Sequence, residues 1–216
     1  MIDNNRKKKI IEILIKHFDK IPPILSNTNK NVFLLLISTV LSQRTKDETT
    51  IKISKKLFSK IGNRPSDYIK ANIKDIETTI KPSGFYRKKA QAIKEISHIL
   101  VKKYNSKVPS SLEKLIALPK VGRKTANIVL SLGFNIPAIA VDTHVHRISN
   151  RLKIVDTKTP VKTEFELIKI IPKKYWIQIN RIFVPFGKNI CTSRNPKCKK
   201  CILKDICEYK KHYIDK

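Results

Sequence analysis

Apolar residues recur at helical spacing along almost the whole chain, and that regularity restricts it to an all-α architecture. Between residues 8 and 19, Ile11, Leu14, Ile15 and Phe18 follow the i, i+3, i+4, i+7 pattern that lines one helix face. Phe33 to Leu41 is a dense apolar run with polar ends, and Ala90, Ile93, Ile96 and Ile99 step by threes through a segment that stops near Asn105. Pro22-Pro23, Pro82-Ser83-Gly84, Pro109-Ser110-Ser111 and Pro160 punctuate the pattern. No run alternates convincingly as a half-buried strand would, so roughly ten short helices are expected. A chain of 216 residues can bury a real core, either as one large domain or as two small ones.

Charge narrows the partners. The chain carries 46 Lys and Arg against 17 Asp and Glu, a net charge of +29. Such an excess draws a protein to polyanions, usually nucleic acid, although lysines also coat ordinary solvated faces. The basic start, Arg6-Lys7-Lys8-Lys9, has no apolar segment of signal-peptide type behind it. Nor does any stretch approach the ~20 apolar residues that span a bilayer. The expected setting is intracellular, with no membrane partner and with reduced thiols. All four cysteines nevertheless fall near the end of the chain, as Cys191-x6-Cys198-x2-Cys201-x5-Cys207. Four soft ligands on one short loop suit tetrahedral zinc or an iron–sulfur cluster.

Two further segments carry chemistry. In Leu115–Ala126 a helix ends near Leu118, a tight turn runs from Pro119 to Gly122, and a new helix starts. Backbone amides at such a start suit a DNA phosphate, and Gly122 permits close approach of backbone to ligand. Alone, the turn also reads as an ordinary helix–turn–helix connection. On a helical wheel Ala126, Val129, Leu130 and Gly133 form a packing face, with Lys124 nearly opposite, beside Asn127 and Ser131. Lys124 is therefore expected to face outward, as a solvated lysine or as a nucleophilic amine. In Val141-Asp142-Thr143-His144-Val145-His146, Asp142 opens the next helix. Its residue type suits an N-cap, and a carboxylate held in direction also suits a cationic sugar.

Together these segments resemble the endonuclease III family of DNA glycosylases, over about residues 30 to 210. The family's helix-hairpin-helix reads Leu-Pro-Gly-Val-Gly-Arg-Lys-Thr-Ala, and this chain has Lys120 in place of the first hairpin glycine. A non-glycine at positive φ costs roughly 1–2 kcal/mol, so the turn is either slightly remodelled or compensated by a phosphate contact from Lys120. The family's Val-Asp-Thr-His follows its catalytic lysine by eighteen residues, the separation of Asp142 from Lys124. The cysteine spacing matches the family's cluster loop, which implies a [4Fe–4S] cofactor held by Cys191, Cys198, Cys201 and Cys207, with a structural role.

The resemblance implies two helical domains flanking a DNA-binding cleft: a six-helix barrel with the hairpin over 25–136, and an iron–sulfur domain from 1–24 and 137–216. It implies a bifunctional glycosylase and AP lyase of base excision repair, acting as a monomer on double-stranded DNA with damaged bases, oxidised pyrimidines above all, or abasic sites. Lys124 would form a Schiff base with C1′ of the sugar and Asp142 would assist. Lys120, Val121, Gly122 and Arg123 would grip phosphate. Leu41-Ser42-Gln43-Arg44 looks like the loop that fills the gap left by a flipped base, with Gln43 and Arg44 both able to enter the stack. His144 and His146 are expected to be structural or phosphate-facing. A monofunctional relative would lack the lysine, a non-enzymatic hairpin module would need no Lys124–Asp142 pair, and a zinc protein would not be brown.

Overall fold

The computed structural model describes residues 4–18 and 31–209. Among these residues the chain is helical and has no strand. It divides into two compact units, one of Ile24–Ile136 and one of Met1–Pro23 with Pro137–Lys216. The Pro22-Pro23 break lies outside the described residues.

The unit Ile24–Ile136 is organised around α2 (Val32–Ser42). Asn31 caps it, its Oδ1 accepting from the amides of Phe33 at 3.0 Å and Leu34 at 3.2 Å. Every residue from Phe33 to Leu41 is buried. A helix apolar on all sides has no face to give to water, so it becomes the central rod of its unit. Around it come α3 (Asp47–Ile61), α4 (Pro65–Lys70), α5 (Ile73–Ile80), α6 (Tyr86–Tyr104), α7 (Leu112–Ile116) and α8 (Arg123–Ile128), which runs on into a π turn over Val129–Gly133. The buried stripe of α6 is Ala90, Ile93, Ile96 and Leu100. Ile99, reached by three-residue steps, is only half-buried, because the true period of 3.6 carries the last step to i+4. Asn105 ends the helix in the left-handed region at φ 49°.

The second unit packs α1 (Asn4–Phe18) with α9 (Thr143–Arg151), α10 (Pro160–Ile170) and α11 (Trp176–Asn189). Its core joins Ile10, Leu14 and Phe18 to Val145, Ile148, Leu167, Phe183 and Phe186, and reaches Leu203 beyond α11. Each such side chain contributes roughly 1.5–3 kcal/mol by leaving water. Phe18 meets Phe186 edge to face at 5.7 Å. On α1 the sequence pattern puts Ile15 on the core face, whereas Ile10 is fully buried and Ile15 is half-buried against the same cluster. No helix among the described residues is long and apolar enough to cross a membrane.

Candidate active site

The hairpin between α7 and α8 is anchored from inside by Leu118 and Val121, both buried, with the Val121 amide donating to the Leu118 carbonyl at 3.1 Å. The turn between them is pushed outward. Lys120 is exposed and takes φ 59°, the left-handed value its glycine-type position requires. Gly122 N-caps α8 with extended backbone, and a Cβ there would meet nothing within 4 Å. No described residue crowds that point of the turn. Lys124 follows in the first turn of α8 and is exposed.

Asn127 and Ser131, which the helical wheel sets beside Lys124, are instead buried at 3% and 6%. Past its first turn the helix is enclosed, since α8 and the π turn pack on α2. Only the end that carries Arg123 and Lys124 emerges.

The 42–46 loop meets this hairpin. The Gln43 side-chain amide donates to the Lys120 carbonyl at 2.8 Å and approaches Thr125 Oγ1 at 3.4 Å. Gln43 is thereby tied inward. Arg44 is exposed, has φ 51°, and sets its guanidinium 5.4 Å from the centre of the Phe85 ring.

In the other unit, Asp142 N-caps α9. Its Oδ1 accepts from the amides of His144 at 2.9 Å and Val145 at 2.8 Å, leaving Oδ2 out of the cap. The same helix grips the start of the cysteine segment. Arg147 donates to the carbonyls of Gly187 at 3.1 Å and Cys191 at 3.0 Å. Arg151 donates to the carbonyls of Thr192 and Ser193, both at 2.6 Å, and lies 3.6 Å from Cys191 Sγ. His146 is engaged by Thr163, 2.6 Å from its Nδ1, and His144 Nδ1 stands 3.2 Å from Arg147.

Cys191, Cys198, Cys201 and Cys207 all line one small cavity with Leu152, Phe186 and Ile190. Burial pushes the Cys191 thiol up and raises Cys201 to about 11, although the Leu203 amide donates to Cys201 Sγ at 3.4 Å. Such thiols gain their negative charge readily only against a cation or metal. Among the described residues no three His, Cys, Asp or Glu are arranged around a single-ion position.

Residues 37–173 match the HhH-GPD superfamily of base excision DNA repair proteins. The chain is 57% identical to endonuclease III of Thermotoga maritima, over 82% of this chain and 83% of that one. The chain belongs to the endonuclease III family. Endonuclease III of Escherichia coli K12 is 36% identical over 94% of this chain and 97% of its own. Two solved structures have the same fold: a non-covalent endonuclease III–DNA complex (TM-score 0.93, 36% identity, 100% of both chains) and a trapped covalent endonuclease III–DNA intermediate (TM-score 0.92, 36% identity, 99% of this chain and 100% of that one).

Two residues beside the family's motifs escape sequence reasoning. Phe85 was hidden behind Pro82-Ser83-Gly84, which reads only as punctuation. In the fold it is 59% exposed at φ 58°, against Arg44. Lys89 precedes the apolar stripe of α6 and looks like one more surface lysine, yet it is 4% exposed. Its only sequence signal is its place on a face that is otherwise apolar.

Proposed function

We propose that this endonuclease III-family chain releases damaged bases from double-stranded DNA, oxidised pyrimidines above all, and nicks the strand at the abasic site, with Lys124 as the nucleophile. The observation that carries the reading is the exposed Lys124 amine on the first turn of α8, immediately after an outward-facing hairpin. The similar endonuclease III trapped as a covalent DNA intermediate supports it.

In this reading the free amine of Lys124 attacks C1′ of the damaged nucleotide. The bond from C1′ to the base breaks, and the base leaves with the electron pair and takes up a proton. Opening of the sugar ring leaves a protonated Schiff base between Nζ and C1′. Loss of a C2′ proton then expels the 3′ phosphate with the electrons of its C3′–O bond, and water frees the lysine. Asp142, held in direction by two amides, stabilises the cationic sugar or takes the lysine's proton. The hairpin amides of Gly122 and Arg123, with the Lys120 side chain, hold a phosphate, while Val121, whose amide is bonded to the Leu118 carbonyl, anchors the turn beneath it. Arg44 fills the gap left by the extruded base, while Gln43 braces loop to hairpin.

The cysteines fit a [4Fe–4S] cluster by their chemistry: four soft donors line one cavity, with the Arg151 and Leu203 N–H groups already directed at sulfur. Cys191, Cys198, Cys201 and Cys207 would hold it. Such a group supplies a cross-link, and electron transfer where a partner exists. We read the chain as a monomer working inside the cell.

Borohydride trapping on duplexes with different lesions tests chemistry and substrate together. Wild type should form a covalent adduct, and Lys124→Gln should form none while binding DNA nearly as well, since it removes one charge of many. An adduct formed by Lys124→Gln would assign the amine elsewhere, with Lys120 the next candidate.

A further inference from the structure

We infer that Lys89 is a positioning residue for base extrusion: its buried ammonium clamps the 41–45 loop to the 83–85 turn and so sets the exposed Arg44–Phe85 pair against DNA. The inference rests on the enzymatic reading above and assigns a role to a residue outside its machinery.

Lys89 Nζ donates to the Leu41 carbonyl at 2.8 Å, to Thr45 Oγ1 at 3.0 Å, to Ser83 Oγ at 2.7 Å and to the Gln43 carbonyl. Every one of these partners is neutral. Three N–H bonds therefore serve four acceptors, two of them carbonyls at the C-terminal end of α2, which helical bonding leaves unsatisfied. The ammonium also stands at the negative end of that helix's dipole.

Around the clamp the two segments touch directly. Thr45 Oγ1 and Ser83 Oγ are 2.9 Å apart. A Cβ on Gly84 would lie 2.9 Å from the Arg44 carbonyl oxygen, so only glycine permits this approach of turn to loop. Arg44 and Phe85, one on each segment, both hold left-handed backbone. Two such residues persist only where their surroundings over-determine them, and the clamp lies between them. It also reaches the hairpin, because Gln43 gives its carbonyl to Lys89 and its side-chain amide to Lys120. One ammonium thus joins gap loop, exposed aromatic and phosphate-gripping turn.

The test compares two substrates under single-turnover conditions: a duplex with an oxidised pyrimidine, and a duplex with a pre-formed abasic site, from which no base need be extruded. Lys89→Met keeps the volume and removes the clamp. Base release should fall ~10²-fold, the scale expected when reacting groups are displaced by about an ångström. Cleavage at the abasic site should fall far less, and Lys89→Arg should recover much of the loss. Gly84→Ala, with Lys89 intact, should shift the ratio of the two rates the same way, and it decides the matter if Lys89→Met does not fold. Base release at the wild-type rate, or an equal loss on both substrates, overturns the inference. A wild type that releases no base overturns the enzymatic reading first, and this inference with it.

Discussion

Lys120 stands where the family's hairpin has glycine, and its backbone shows what that substitution costs. At φ 59° an L-residue is disfavoured by roughly 1–2 kcal/mol. Glycine escapes that penalty but gives back about 0.5–1 kcal/mol through the greater freedom of its unfolded chain. At the midpoints of those ranges Lys120→Gly should therefore stabilise the protein by about 0.75 kcal/mol, a rise of roughly 1.5–3 °C in Tm for a chain of this size. The bond from Gln43 survives, because it is accepted by the Lys120 carbonyl and not by the side chain. DNA binding should move the other way. Removing one phosphate-facing cation should weaken binding at low salt and reduce the slope of log affinity against log salt by about 0.9. Thermal melts and a binding series over salt, on the same preparation, read both effects. A lower Tm would show that the left-handed turn carries no net strain. An unchanged slope would show that the Lys120 side chain neutralises no phosphate, and the two results are independent.

Asp142→Asn keeps a good N-cap for α9 but removes the charge, so base release should fall by roughly 10²-fold or more with little change in Tm; early unfolding with a fully active folded fraction would reduce Asp142 to a cap. Cys198→Ser should lower soluble yield, weaken DNA binding and flatten its salt dependence, since the loop carries Arg194, Lys197, Lys199, Lys200 and Lys204. A preserved salt slope with a collapsed single-turnover rate would instead call for a direct role of the metal. Burial lowers the Lys89 ammonium from 10.5 to about 8. The folded state then binds fewer protons than the unfolded one between those values, so the penalty is complete below pH 8 and is relieved as pH rises to 10.5. Denaturant midpoints of wild type relative to Lys89→Met should climb across that window, and a flat difference would show that the four acceptors hold the charge in place.

Much of this molecule is determined by local pattern. The all-round apolar run of α2 forces a central helix, the cap at Asp142 follows from residue type, and the departure at Lys120 is visible in the motif itself. These are properties of neighbours along the chain, where a helix's period and the chemistry of its ends leave little freedom. What only the tertiary structure decided are choices between residues of similar type. Gln43 turns to the hairpin and Arg44 to solvent because the Lys120 carbonyl, 77 positions along the chain, offers Gln43 an acceptor. Asn127 and Ser131 are buried although polar, because α8 continues into a π turn packed on α2. Lys89, one lysine among many, becomes the buried node of a loop because carbonyls and a hydroxyl from the distant 41–45 loop converge on it beside the nearby Ser83 hydroxyl. Convergence of that kind depends on how separate helices dock, and no period or spacing within one segment encodes it.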